Sequence, residues 1–296
     1  MSLIPKLQEL VLPATDGCCC ETFIYEPSNI DEENLGSLYL VGELTENQGC
    51  GNSLLNLLAS VIKREFYVNI KRKTGDAFEA SLKKANITLA DFIAANQFDW
   101  TGKIHLICAA INKKNLFLTQ IGKAQAALWR NHELVAVCQN LAQAQKNPYP
   151  LKAFGSLISG GIMPGDRFIL ATSSLAVSLN KNMVKQALSL TNLSDTADKL
   201  QQQCQTCKLT NNLAILLIEI QQSLKGQPAI IEWEKPSLAA CQPIDFSEIV
   251  KETTTKRQAT IIPENNQLIL RHRFWRRPQV IGQHYFRKLK RIMNKD

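Results

Sequence analysis

The chain has 296 residues, 45% hydrophobic and 20% charged, which suits one large globular domain or two small ones. No window approaches the roughly 18 uninterrupted apolar residues of a membrane span, and the opening MSLIPKLQEL lacks the basic and apolar regions of a secretory signal. The net charge of +8 is local, because residues 271–296 alone hold nine Lys/Arg and one acid.

Residues 8–14 and 21–27 read as two strands around Asp16-Gly17, followed by a polar, acidic loop at 28–36. GSLYLVGEL, 36–44, reads as a short buried strand, and a loop rich in Asn, Gln and Gly closes it. The period then becomes helical: Leu54, Leu57, Leu58, Val61 and Ile62 share one face, with Asn52 and Ser53 as cap candidates. Lys63-Arg64 and Lys71-Arg72-Lys73 fall towards that helix's end, where cations complement the helix dipole. Phe78, Leu82, Ala85, Leu89 and Ile93 predict a second helix. KIHLICAAI, NLFLTQI, AQAALW and ELVAVC are four short runs divided by tight turns, which predicts an antiparallel meander. GDRFIL gives another strand, 182–207 a helical region, and Leu213–Ile220 the last strand. Strand clusters separated by helix pairs imply an α+β layered domain. Residues 222–270 are polar and Pro-spaced, as in a linker. The expected division is therefore a folded domain at 1–221, an irregular extension at 222–270 and a basic aromatic tail at 271–296.

Four stretches in this order resemble the PPM-type (type 2C) metal-dependent serine/threonine protein phosphatases. LYLVGELTENQGCGNSLLNLLAS is similar to the family's strand and glycine loop, and KIHLICAAINKKNLFLTQIGKAQAALWRNHELVAV to its hairpins. MPGDRFILATSSLAVSL is similar to its PGD-turn strand, and TNNLAILLIEI to its final strand. The resemblance implies a sandwich of two antiparallel β-sheets flanked by α-helices, with two Mg²⁺ or Mn²⁺ ions held by carboxylates between the sheets. It also implies a structural role for Asp166 in the PGD turn.

The ligand positions carried over from the family are mostly without acids in this chain. The first falls at Gly42 or Glu43, depending on a one-residue slip, and the others at Lys123, Ser173 and Asn211. The early strand, GCCCETFIYEP, has no Arg where the family binds phosphate. Glu43 is the one weak metal candidate; a metal site would need further acids, such as Glu21 or Glu46. Hard dications need oxygen ligands and charge neutralisation, so the expectation is a degenerate member without catalytic residues or a metal cofactor. It would be a pseudophosphatase acting as a binding or regulatory module in phosphorylation signalling. The alternative is a divergent phosphoserine/phosphothreonine phosphatase using Mg²⁺ or Mn²⁺.

Thr172, Ser173 and Ser174 then mark a vacated position, with hydroxyls capping the next turn. A nucleophilic Ser would need a partnered base, and the four histidines lie in a strand (His105), a hairpin turn (His132) and the tail (His272, His284). Gly49-Cys50-Gly51 lacks the Lys of a phosphate loop; Cys50 is a reactive thiol if the following helix lowers its pKa, with an inert thiol the preferred reading. Nine cysteines without an export signal suggest free thiols in a reducing cytosol. Cys204 and Cys207 have CxxC spacing but no second ligand pair, and are read as ordinary thiols.

In the tail, Ile281, Tyr285, Leu289 and Ile292 form one helical stripe, with Arg287, Lys288, Lys290 and Arg291 around it. Phe274 and Trp275 lie among Arg271, Arg273, Arg276 and Arg277. Packing on the domain or on a protein partner ranks first, an anionic membrane surface second and nucleic acid third. The expected location is cytoplasmic, with membrane association open.

Overall fold

The computed structural model describes residues 3–12, 19–45, 51–95, 100–138, 150–207 and 212–222, without the side chains of residues 51–53 and 150. The strands are β1 (Leu3–Leu12), β2 (Cys19–Tyr25), β3 (Ser37–Leu44), β4 (Ile104–Asn112), β5 (Asn115–Ile121), β6 (Gln125–Arg130), β7 (Glu133–Ala136), β8 (Ile158–Gly161), β9 (Arg167–Ala171) and β10 (Leu213–Gln222). The helices are α1 (Ile30–Glu33), α2 (Gly51–Tyr67), α3 (Thr74–Ala94), α4 (Ser174–Ser178), α5 (Lys181–Leu188) and α6 (Leu193–Thr206).

Two antiparallel five-stranded sheets result, ordered β1-β10-β9-β6-β7 and β2-β3-β4-β5-β8. Alternation along the strands sorts their side chains into three cores. Leu38, Leu40 and Leu44 of β3 and Leu106 and Cys108 of β4 pack with α2 and α3. Tyr39, Val41, Ile107 and Ala109 instead meet Phe168, Leu170, Leu216 and Ile218 between the sheets. Ile169, Ile215 and Leu217 form the third core with Val184, Leu188 and Leu200 of α5 and α6. Strands covered on both faces lose polar alternation, which is why β4 and β10 read as continuous apolar runs.

The expected α+β sandwich is present, but several local expectations need correction. The four runs from 103 to 138 are not one meander. β4 and β5 pair in one sheet while β6 pairs with β7 and β9 in the other, so the chain changes sheets at Gly122-Lys123-Ala124. Lys71–Lys73 do not end α2; they lie between the helices, with Lys73 at the N-cap of α3. The helical region expected at 182–207 is two helices, α5 and α6, with the short α4 before it, and β1 begins five residues earlier than its apolar core suggests.

Asp166 has the expected structural place. It is 2% exposed, and accepts Arg130 Nε at 2.8 Å, Arg130 Nη2 at 2.6 Å and the Met163 N–H at 2.7 Å. This fork ties the start of β9 to β6. The linker 222–270 (Gln222 apart) and the tail 271–296 lie outside the described residues.

Candidate functional site

At one end of the inter-sheet core the apolar layer gives way to polar side chains. Glu43 follows Tyr39 and Val41 on the inward face of β3, and sits directly opposite His105 of β4 in the strand register. Gln120 follows Leu116 and Leu118 on the same face of β5. Thr172 and Ser173 join β9 to α4 and approach from the other sheet.

Register removes the one-residue ambiguity. Gly42 faces the helices, where an added Cβ would lie 2.7 Å from Leu106 Cδ1 and 3.1 Å from Leu55 Cδ2. Gly42 therefore faces away from the inter-sheet layer, and Glu43 faces into it. Glu21 is also remote: it lies opposite Gly42 on the edge strand β2 and accepts Asn56 Nδ2 at 2.9 Å.

Glu43 is 1% exposed. The Ser173 N–H donates to its Oε1 at 2.8 Å, bridging the two sheets. Burial pushes its pKa above the ordinary carboxylate value, against the opposing effects of the Ser173 hydrogen bonds and the Lys123 charge. His105, also buried, has its pKa lowered by burial and then by Lys123. Its Nδ1 accepts the Lys123 N–H at 3.2 Å, which leaves the ring proton on Nε2 when the imidazole is neutral.

This contact depends on Gly122, whose φ of +66° favours glycine and whose Cβ, if present, would fall 2.1 Å from His105 Nδ1. The Gln120 amide donates to the Gly122 carbonyl at 2.8 Å and fastens the same turn. The Lys123 side chain is exposed at the rim.

The hydroxyls of 172–174 do not cap α4. Ser173 occupies the N-cap without a side-chain cap bond. Thr172 Oγ1 accepts the Ala214 N–H at 3.2 Å, and Ser174 Oγ donates to the Asn212 carbonyl at 3.1 Å. Together with the Thr172 N–H, which donates to the Ala214 carbonyl at 3.0 Å, they anchor the end of β9 to the beginning of β10.

Asn211, Glu46, Gly49 and Cys50 lie outside the described residues, as do Arg271, Arg273, Phe274, Trp275, Arg276, Arg277, Arg287, Lys288, Lys290 and Arg291. Cys204 is buried at the end of α6, its thiol pushed up to about 11, chiefly by burial. His105 and Gln120 are the site residues that sequence reasoning missed. Their signal was alternation: His105 is in phase with Ile107, Ala109 and Ile111, and Gln120 with Leu116 and Leu118. Among the described residues, no three His, Cys, Asp or Glu side chains converge as a metal cluster.

Two facing antiparallel sheets with helices on both outer faces match the PPM-type phosphatase fold. Solved structures with it include the catalytic domain of the serine/threonine protein phosphatase PstP in complex with two manganese ions, 14% identical with a TM-score of 0.58. That match covers 75% of this chain and all of the other. The serine/threonine phosphatase PstP/Ppp of Mycobacterium tuberculosis is 15% identical at a TM-score of 0.55, over 75% of this chain and 100% of its own. Stp1 of Staphylococcus aureus is 14% identical at 0.58, over 74% and 96%. At these identities the likeness is one of fold. No protein-family model and no curated protein sequence matches the chain.

Proposed function

We propose that this chain is a PPM-fold module that has abandoned metal-dependent hydrolysis and acts by binding a protein partner, as a regulatory domain in phosphorylation signalling. The observation that carries the reading is the engagement of Glu43. It reaches the inter-sheet notch and already holds the Ser173 amide.

The donor set does not fit a pair of hard cations. Two dications about 4 Å apart repel by about 16 kcal/mol at an effective dielectric near 20. Glu43 by itself cannot offset that, and Lys123 adds positive charge beside it. Ser173 presents its backbone N–H to Glu43, a donor where a metal would require an acceptor. His105 suits softer metals better than Mg²⁺.

Calorimetric titration of the full chain with Mn²⁺, paired with p-nitrophenyl phosphate turnover, tests the reading. The expected result is no tight two-site binding and no turnover at high protein concentration. Tight binding at two sites, with turnover abolished by Glu43→Ala, would replace it with the divergent phosphatase.

The basic aromatic tail supports a second element of this reading: peripheral attachment to an anionic, cytoplasm-facing membrane surface. Lys and Arg near such headgroups contribute about 1 kcal/mol each, and residues 271–296 hold nine. No helix among the described residues is long and apolar enough to cross a membrane.

A further inference from the structure

The turn carrying Gly122 and Lys123 also borders a cavity of about 880 Å³ that wraps the start of β6. Its wall takes side chains from both faces of that strand. Ala124 and Ala126 come from the inter-sheet layer, and Ala127, the next residue in alternation, from the face towards α4 and α5.

The room is made by truncated side chains. Ala136 of β7 and Ala176 of α4 join those three alanines, and Ile169, Leu175, Leu179 and Val184 supply an apolar floor. A hollow of this size, mostly apolar with a few convergent polar groups, has the form of a small-molecule site.

Its charges have one sign. Lys123 and Lys181 both line the cavity, and no Asp or Glu does so among the described residues. Both lysines are exposed, and neither forms an ion pair among the described residues. The two come from different elements, the β5–β6 turn and the first residue of α5. His105 and Gln120 add hydrogen-bonding groups beside Lys123.

We propose that this cavity binds an amphiphilic carboxylate, with its alkyl body against the alanine-lined wall and its charge paired with Lys123 and Lys181. The proposal is independent of whether the module hydrolyses phosphate, because the binding surface is the apolar wall beyond the Glu43 notch.

Titration of the full chain with hexanoate, octanoate and decanoate tests it. Affinity is expected to rise about fourfold per added methylene as the wall is covered. Decyltrimethylammonium, with the same chain and the opposite charge, is expected not to compete. The double reversal Lys123→Glu/Lys181→Glu, at exposed positions, should weaken decanoate about tenfold. Ala176→Trp, also at an exposed position, should remove binding by filling the mouth. Acetate binding as well as decanoate, or the cationic chain competing equally, overturns the proposal. Wild-type affinity in both variants would place the ligand elsewhere, the basic residues 271–296 included, and overturns it too.

Discussion

Replacing Glu43 with glutamine removes a buried negative charge while keeping an oxygen to accept the Ser173 N–H, 2.8 Å away in the wild type. Two effects oppose each other. The hydrogen bond ceases to be charge-assisted, which costs about 1 kcal/mol. The desolvation of a buried ion, several kcal/mol in real proteins, is removed at the same time. The raised pKa of Glu43 fixes the sign: in the folded protein, burial outweighs the Ser173 bonds and the Lys123 charge. The variant should therefore be more stable at neutral pH, by about 1–3 kcal/mol. The gain depends on pH in a defined direction. The folded-state pKa lies above the ordinary 4.5, so the protonated wild-type side chain favours folding below that value. This contribution is lost as pH rises through the folded pKa. The variant's advantage is thus absent in acid and grows with pH. Urea unfolding of both proteins between pH 4 and 8, followed by circular dichroism, measures it. A variant less stable than the wild type at pH 8, or a pH-independent difference, would refute the reasoning. Saturating Mn²⁺ that stabilised only the wild type would show instead that the carboxylate is kept for a metal.

Other perturbations follow from the same geometry. Gly122→Ala places a Cβ 2.1 Å from His105 Nδ1 at a φ of +66°, and is expected to destabilise by about 2 kcal/mol or more in thermal unfolding. Arg130→Ala leaves Asp166 buried without its fork, at a cost of about 3 kcal/mol in urea unfolding; the double variant with Asp166→Asn should recover part of it. His105, with a pKa lowered by burial and Lys123, contributes stability above its ordinary 6.5 that is lost as pH falls through the folded value. His105→Gln should flatten that acid-side loss in the same urea series. The full chain should co-sediment with anionic vesicles and a truncation ending at Leu270 should not; two proteins that both stay in the supernatant refute the membrane role.

The one-dimensional pattern determined the sandwich's parts by itself. Period-2 and continuous apolar runs predicted most of the strands, and 3.6-residue spacing predicted α2 and α3, because burial on one face or two imprints directly on neighbouring residues. The structural place of Asp166 was implied by the resemblance of its Pro-Gly-Asp turn, and its fork with Arg130 is tertiary. Tertiary structure alone decided the choice between Gly42 and Glu43, because a one-residue slip exchanges the two faces of a strand and only the β3–β4 register fixes which faces inward. It alone brought His105 to Glu43 and Ser173 to the carboxylate across 130 residues. It also sent β6 to the opposite sheet from β5, where the Gly122 turn leaves an alanine-lined hollow. Contacts between distant segments, and empty space bounded by several elements, are set by packing of the whole chain and leave no period in the sequence.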